Sequence, residues 1–395
     1  MIMRRIFIIL LLSTFTFQLS TLFAQTYVWK AGKPLVVNPD SITFVEPDMG
    51  LQVVDETQTS DGYNVKFLYL TQDYLGRPQW QSALLQLSEN NVQSKHIGVM
   101  ALYNHYTIMS AAECPTEGNT DMQKAALTKD FAVVSADYEG FGETADKIQA
   151  YCFGLANARA SIDALLAARE WLAEQGYTLS DSIINYGYSQ GGQTTVAEVR
   201  LAQTEYRGRV RFLKSIAGDG PYNLTLTFKT FVEWQRIGMA AALPLTVITL
   251  NELYDMGIAY DQVFKAPLSS NWKTWFVSKR FTMDEASGLL GSDSLHVFIQ
   301  PEYLDTTSAE TKQMMTYTER LNIMQGWTPD TDTRLQLYHS LQDDVVPFGN
   351  SRELYRFFEN QGCSNVTIDS TSLNMDHESS GMMFIIALMN ELNTL

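Results

Sequence analysis

A strand-to-helix junction centred on Ser189 constrains this chain more than any other sequence feature. The pentapeptide Gly-Tyr-Ser-Gln-Gly at 187–191 follows an apolar, strand-like run at 182–186 and precedes a helix-like segment at 193–199. This order of strand, sharp turn and helix is typical of a nucleophile elbow, in which a strained serine projects its hydroxyl above the edge of a sheet. The pentapeptide alone also fits a glycine-rich turn beside a surface serine. Partner residues elsewhere in the chain must therefore support the functional interpretation.

An acidic residue follows the elbow in the chain order that such a serine requires. Asp343 comes directly after the strand-like run 334–338 and stands four residues before Pro347. This placement predicts a loop at the carboxyl end of a strand, where a carboxylate can accept the imidazole N–H and stabilise the imidazolium. The neighbouring Asp344 is the alternative, and either aspartate could instead cap its own turn. We predict that Asp343 is the acid.

A histidine follows the acid, as the order Ser, Asp, His demands. His377 lies 34 residues after Asp343, between the strand-like run 366–368 and a helix predicted from about Gly381. It can serve as the base that takes the Ser189 proton and returns it to the leaving group. No other histidine follows Asp343, because the remaining four come earlier in the chain: His96, His105, His296 and His339. The sequence therefore predicts a catalytic triad of Ser189, Asp343 and His377.

Hydrolysis through such a serine also needs hydrogen-bond donors for the developing oxyanion. One predicted donor is the backbone N–H of Gln190, immediately after the nucleophile. The second is expected from the loop that follows the strand-like run 97–103, where Thr107 is our choice and Tyr106 the alternative. His105 and Thr107 could instead merely cap this loop.

Continuous apolar runs alternate with helix-like segments through most of the chain, which predicts an α/β fold with a mostly parallel central sheet. Runs at 65–71 and 80–87 flank a turn and predict an N-terminal antiparallel hairpin. The alternation stops after the strand-like run 212–217, gives way to helix-like stretches rich in Met, Trp and Phe, and resumes at 334. We therefore predict a core formed by residues 25–220 and 326–395, with residues 221–325 inserted as a helical cap. Some of its apolar side chains could line an acyl pocket: Phe231, Trp234, Met239, Leu250, Tyr254, Trp272, Trp275 and Phe276.

The amino terminus and the composition bear on location and partners. Residues 1–24 combine an early Arg pair, a short apolar stretch and a small residue at Ala24, which predicts a secretory signal peptide and an exported protein. No later stretch is long and apolar enough to predict a transmembrane helix. The formal net charge of −16 argues against nucleic acid or an anionic membrane as partner.

Three cysteines are too few and too scattered for a disulfide scaffold or a metal site. Export would permit a bridge between Cys114 and Cys152, whose positions both follow predicted strands, and the sequence leaves this bridge undecided. Cys363 has no predicted partner.

Several of these motifs together resemble the secretory lipase group of α/β-hydrolases. The matching segments are the hairpin turn at 69–78, the Asp-Tyr-Glu-Gly-Phe-Gly sequence at 137–142, the elbow extended to Gly192, and the two loops that carry Asp343 and His377. The resemblance implies a secreted carboxylic ester hydrolase that uses this triad without metal or cofactor, with the insertion as a lid. Where many relatives have His-Gly, this chain has His105 and Tyr106, so its oxyanion loop departs from the group.

Other functions stay open at this point. A serine peptidase would use the same triad, because amide and ester hydrolysis share an acyl-serine intermediate. Deacylation of a decorated polysaccharide would differ from lipid ester hydrolysis only in its substrate. A non-catalytic binding protein on the same scaffold would be expected to have lost part of the triad. We favour hydrolysis of a small-molecule or lipid ester, and the oligomeric state is not predicted.

Overall fold

The computed structural model describes residues 27–30, 33–38, 41–42, 51–59, 62–118, 120–371 and 374–395. The predicted signal peptide, 1–24, lies outside these ranges. Later in the chain, three short antiparallel strands pair in chain order, namely β1 (Tyr27–Lys30), β2 (Lys33–Asn38) and β3 (Ser41–Ile42). Within the described ranges, every helix is too short or too polar to span a bilayer.

A nine-stranded mixed sheet forms the centre of the fold. Its strands are β4 (Gln52–Thr59), β5 (Gly62–Gln72), β6 (Pro78–Leu87), β8 (Met100–Asn104), β9 (Ala132–Ala136), β11 (Ile183–Tyr188), β12 (Phe212–Gly218), β13 (Arg334–Tyr338) and β14 (Val366–Asp369), while β7 (His96–Ile97) and β10 (Thr178–Leu179) pair separately. The spatial order is β14-β13-β12-β11-β8-β9-β6-β5-β4. The six strands from β14 to β9 are parallel, and β6, β5 and β4 join them antiparallel. The predicted α/β sheet with its N-terminal hairpin is confirmed.

The sequence prediction of one strand over residues 97–103 was wrong, because this apolar run divides into two strands. Ile97 belongs to β7, which pairs with β10 outside the main sheet. Met100 begins β8, which lies between β11 and β9 in the main sheet. Apolar character was a poor guide here because Ile97 of β7 is as buried as the residues of β8, although the two strands hydrogen-bond to different partners.

The described chain has α-helices on both faces of the sheet and in the segment between β12 and β13. They are α1 (Glu89–Ser94), α2 (Asp121–Lys124), α3 (Gly154–Glu174), α4 (Gln190–Gln203), α5 (Leu224–Trp234), α6 (Ala242–Leu253), α7 (Tyr260–Val263), α8 (Leu268–Trp272), α9 (Met283–Leu290), α10 (Ala309–Glu319), α11 (Gly349–Asn360) and α12 (His377–Leu392). Helices α3, α4 and α11 contribute to the apolar core on one face. Helices α2 and α12 contribute to the core on the other face. Buried strands with helices on both sides explain the continuous apolar runs in the sequence.

The residues between β12 and β13, 219–333, form a helical insertion with its own apolar core. This segment contains α5 to α10 and only isolated bridge pairs of β type within its described residues. Its core includes Phe228, Ile248 and Phe276 and extends to Val345 and Val346, in the loop after β13. The insertion therefore packs on the edge of the sheet where the parallel strands end. An inserted helical segment was predicted from the sequence and is confirmed.

Candidate active site

Ser189 occupies the junction between β11 and α4 in a conformation that non-glycine residues rarely adopt. Its φ is 57° and its ψ is −120°. Backbone hydrogen bonds fix this geometry, since the Ser189 N–H donates to the Gly218 carbonyl at 2.8 Å and the Gln193 N–H donates to the Ser189 carbonyl at 3.0 Å. Strained backbone of this kind persists where the surroundings over-determine it, and it clusters at functional sites.

The glycines around Ser189 are required by close packing of the turn against neighbouring strands. A Cβ on Gly187 would lie 2.5 Å from the Gly191 carbonyl oxygen. A Cβ on Gly191 would collide with the Asn104 carbonyl, and one on Gly192 with the Gly218 carbonyl. Any side chain at these three positions would force the helix away from the sheet. The spacing of the motif is therefore a steric requirement of this turn.

The structure brings Ser189, His377 and Asp343 into one hydrogen-bonded row. His377 Nε2 is 2.9 Å from Ser189 Oγ, and His377 Nδ1 is 2.6 Å from Asp343 Oδ2. All three residues are buried. A carboxylate can only accept hydrogen bonds, so we assign the ring proton to Nδ1, which leaves Nε2 as the acceptor for the serine hydroxyl. In this arrangement the histidine can remove the serine proton.

The ionisation of the pair suits this role. Burial alone would lower the pKa of His377, but the charge and hydrogen bond of Asp343, with the charges of Asp219 and Asp344, outweigh it and the net pKa lies above the ordinary value. Burial likewise opposes ionisation of Asp343, yet the charge and hydrogen bond of His377 hold its pKa below the ordinary value. Asp343 Oδ1 also accepts the backbone N–H groups of Val345 and Val346, at 2.8 and 2.7 Å. These contacts favour a charged carboxylate facing the ring.

Asp344, the alternative acid, has a different contact. Its Oδ1 accepts the backbone N–H of His377 at 3.1 Å, and its backbone carbonyl accepts the Gly238 N–H at 3.2 Å. It therefore holds the main chain of the histidine and not the imidazole ring. Its carboxylate also fills the space beside Gly238, where a Cβ would collide with it.

His377 is the first residue of α12, which corrects the predicted helix start near Gly381. Asp376 caps the helix by accepting the Ser379 N–H at 2.8 Å. The first turn is polar, so the apolar periodicity that marks a helix becomes visible in the sequence only later. A ring on a capped helix is held more firmly than one on a loop.

A second buried carboxylate beside His377 was missed in the sequence. Asp219 directly follows β12, and its Oδ2 accepts the hydroxyls of Tyr188 and Ser380, each at 2.9 Å. Oxygen atoms of Asp219 and Asp343 and a ring nitrogen of His377 all lie within 4.8 Å of one another. Burial raises the pKa of Asp219 to about 6. The one sequence signal was its position at the carboxyl end of a strand that neighbours the elbow strand.

This cluster of Asp219, Asp343 and His377 is the group of described residues whose donor atoms could approach a metal ion. Most of the lone pairs on its carboxylates already accept hydrogen bonds. Asp343 accepts the ring N–H and two backbone N–H groups, and Asp219 accepts two hydroxyls and, at 3.3 Å, the Ser340 N–H. The arrangement is that of a hydrogen-bonded network.

The predicted oxyanion residues lie beside the serine. Gln190 begins α4 and is buried, and Thr107 is buried and faces the same cavities as Ser189. The loop is held by His105, whose Nδ1 is 2.6 Å from the Tyr106 carbonyl and whose Nε2 is 3.3 Å from the Asp137 carbonyl. Burial lowers the pKa of His105 to about 4, so the ring is neutral and fixes the loop without contributing charge. The donor roles of Gln190 and Thr107 stay predictions.

Two cavities of different size meet at Ser189. The wide cavity measures about 330 Å³ and is also lined by His377 and by the exposed Met382 of α12. The narrow cavity measures about 20 Å³ and extends below the insertion to Leu224 and Phe231. Four residues line both, namely Thr107, Ser189, Met239 and Met283. Of the apolar residues considered in the sequence for a pocket, Phe231 and Met239 line these cavities.

The wide cavity carries acidic side chains, contributed by Glu113, Asp121, Asp284 and Glu378. No Lys or Arg of the described chain lines it. An anionic substrate would be repelled at this entrance. The lining therefore disfavours anions and admits neutral or cationic molecules.

The open question of a Cys114–Cys152 bridge is answered in the negative by the structure. Both thiols are buried and free, and Cys363 is also free. The Cys114 sulfur instead lies 3.3 Å from the Thr116 hydroxyl.

Comparison with known proteins agrees with this architecture. The family described as Secretory lipase matches residues 110–260. No curated protein is significantly similar in sequence. Among solved structures, a mutant of the rice cell wall degrading esterase LipA from Xanthomonas oryzae superposes with a TM-score of 0.74 at 22% identity, covering 84% of this chain and 90% of that one.

Two further structures share the fold. A hydrolase from Legionella pneumophila, itself described only as a putative one, has a TM-score of 0.74 at 20% identity, over 87% of this chain and 97% of its own. Candida antarctica lipase A has a TM-score of 0.58 at 14% identity, over 82% and 77%. These matches support a hydrolase of the lipase and esterase type. The chain has the α/β-hydrolase fold and, as its motifs predicted, resembles the secretory lipase group.

Proposed function

We propose that this chain is an exported serine hydrolase that cleaves carboxylic esters through an acyl-Ser189 intermediate. The observation that carries the proposal is the row of hydrogen bonds from Ser189 Oγ to His377 Nε2 at 2.9 Å and from His377 Nδ1 to Asp343 Oδ2 at 2.6 Å. This geometry meets the requirement that nucleophile, base and orienting acid contact one another in that order. The secretory lipase match supports export.

The proposed reaction has two halves. His377 Nε2 takes the proton from Ser189 Oγ as that oxygen attacks the ester carbonyl, and Asp343 stabilises the resulting imidazolium. The oxyanion of the tetrahedral intermediate is stabilised by the Gln190 N–H and by a donor from the Thr107 loop. The intermediate collapses when His377 gives its proton to the leaving alkoxide. Water then attacks the acyl-serine with His377 again as base, which releases the acid and restores the serine.

The insertion acts in this proposal as a cap over the site, with residues 221–325 as its extent. Met239 and Met283 of the insertion line both cavities at Ser189, and Phe231 lines the narrow one. A cap that covers the serine on one side excludes water and gives the substrate an apolar surface.

Deacylation of a polysaccharide is a second candidate with the same chemistry. It is favoured by the similarity in fold to LipA, which is described as a cell wall degrading esterase, and by a wide cavity that admits neutral molecules. It differs from the first candidate in the alcohol and not in the residues that react. A serine peptidase would need a site for the peptide backbone or terminus, and a binding protein would not need the hydrogen-bonded row.

The first experiment measures hydrolysis of p-nitrophenyl esters by the purified protein beside Ser189→Ala. We expect serine-dependent turnover and a loss of roughly 10⁴- to 10⁶-fold in kcat for the variant. Thermal unfolding serves as the control for an intact fold. Wild-type rates in Ser189→Ala, or no turnover by a folded wild-type protein, would contradict the proposal.

A further inference from the structure

The two cavities at Ser189 differ in their access to His377. His377 lines the wide cavity together with Glu378, Gly381 and Met382 of α12. It does not line the narrow cavity, whose described lining comes from Ser189, the Thr107 loop, Tyr151 and Cys152 before α3, the insertion and the loop after β13. A substrate bound across the serine would therefore have one end beside the histidine and the other away from it.

The chemistry of ester cleavage decides which cavity holds the alcohol and which holds the acyl group. The leaving alkoxide must receive its proton from His377 Nε2, so the alcohol has to lie within hydrogen-bond reach of that atom. Only the wide cavity provides this, among the described residues. The alcohol can also leave from it, since Met382 on its rim is 67% exposed. The acyl group must then occupy the narrow cavity while it is bound to Ser189.

The narrow cavity is small and its walls are fixed. At about 20 Å³ it holds little more than one water-sized group. Leu224, Phe231, Val345 and Val346 line it, and all four are buried members of the apolar core of the insertion. Packed cores resist the addition of even single methylene groups. A long acyl chain would have to displace these side chains.

We propose that the enzyme hydrolyses esters of an acetyl-sized acid with a large, neutral alcohol, and that the narrow cavity sets the acyl length. The inference rests on the proposed function and names the substrate class of that same site. It places the bulk of the substrate on the alcohol side, which is the reverse of a lipase that holds a fatty acyl chain. The acetyl group forms an ester bond to Ser189 Oγ while the bond to the alcohol oxygen breaks, and water later releases it as acetate.

A pair of isomeric esters tests this directly. Octyl acetate and ethyl octanoate have the same composition and similar leaving groups, and they differ in which side of the ester carries the long chain. We expect kcat/KM for octyl acetate to exceed that for ethyl octanoate by at least about a hundredfold, because even one excess methylene in a closed pocket costs roughly tenfold or more. Equal values, or a preference for ethyl octanoate, would overturn the proposal.

Enlarging the narrow cavity should relax this preference. Phe231→Ala removes a large apolar side chain of the lining, and Thr246→Ala is the milder variant because the Thr246 hydroxyl donates to the Ala242 carbonyl of its own helix. We expect either folded variant to lower the ratio of the two isomers by roughly tenfold. Met382→Ala, which enlarges only the wide cavity, should change KM for octyl acetate and leave the preference for p-nitrophenyl acetate over p-nitrophenyl octanoate near the wild-type value, because those two esters share one alcohol.

The outcomes separate this inference from the proposed function. Serine-dependent hydrolysis of p-nitrophenyl octanoate at a higher kcat/KM than the acetate would keep the esterase and overturn the short acyl pocket. Absence of serine-dependent hydrolysis of every ester would overturn both. An unchanged isomer ratio in folded Thr246→Ala and Phe231→Ala would show that the narrow cavity does not hold the acyl group.

Discussion

Asp343 and Asp219 are two buried carboxylates on neighbouring strand ends, and their pKa values are shifted in opposite directions. Asp343 faces the His377 ring N–H, whose charge and hydrogen bond hold its pKa below the ordinary value despite burial. Asp219 accepts two neutral hydroxyls, and burial raises its pKa to about 6. Both side chains are almost completely removed from water. The comparison teaches that direct contact with the imidazole, and not depth, decides the direction in which the pKa of a buried carboxyl is shifted.

The largest predicted effect tests whether Asp343 alone orients the base. Asp343→Asn should lower kcat by about 10⁴-fold, because the amide no longer fixes the Nδ1–H tautomer or stabilises the imidazolium. Rates on p-nitrophenyl acetate measure the loss, with thermal unfolding as the control. A larger loss in Asp219→Asn would move the acid to the loop after β12.

The pH profile tests the combined effect of the two carboxylates. His377 must be neutral to accept the serine proton, and its pKa lies above the ordinary value of 6.5 because the effect of burial is outweighed by the charge and hydrogen bond of Asp343 together with the charges of Asp219 and Asp344. We therefore expect kcat/KM to fall as pH drops through a value above 6.5, and to be at least about thirtyfold lower at pH 5 than on the plateau. An acidic limb centred below 6.5 would contradict this reading.

The third prediction isolates Asp219. Its negative charge contributes to the raised pKa of His377, so Asp219→Asn should shift the acidic limb toward lower pH. Maximal turnover should fall by no more than about tenfold, since Asp219 acts on the ring through its field and makes no hydrogen bond to it. A residue that only supports the fold would alter stability and leave the position of the limb unchanged. Kinetics from pH 5 to 9 beside unfolding curves distinguish the two.

The smallest effect is expected at the neighbouring aspartate. Asp344→Asn keeps an oxygen that can accept the His377 backbone N–H, so the main chain stays in place and only a partly exposed charge is lost. We expect kcat to change by less than about fivefold. If Asp344→Asn proved as damaging as Asp343→Asn, the contrast between ring contact and backbone contact would fail.

The sequence was informative for residues that can be recognised by their spacing and order along the chain. The elbow requires glycines at fixed spacing because helix and strand collide otherwise, so Ser189 could be recognised directly. Asp343 and His377 could then be found by order, since each follows a strand-like run. Those three positions need no knowledge of which strands are neighbours.

Asp219 could not be found in the same way. Its approach to His377 depends on β12 lying between β11 and β13, which is a property of the folded sheet. The start of α12 was missed because a polar, capped first turn conceals helical periodicity. The division of residues 97–103 into β7 and β8 depends on which strands supply the hydrogen bonds, and the pattern of apolar residues does not predict the pairing partners.

The hydrogen bond between Ser189 and His377 joins positions 188 residues apart, and this has a consequence for folding. During synthesis the nucleophile emerges long before its base, so the serine hydroxyl is unreactive until the region from β13 to α12 has docked. Contacts of such long range form late, because loop closure must precede them. Recovery of esterase activity after denaturation should therefore follow the slowest refolding phase, while far-ultraviolet circular dichroism recovers earlier.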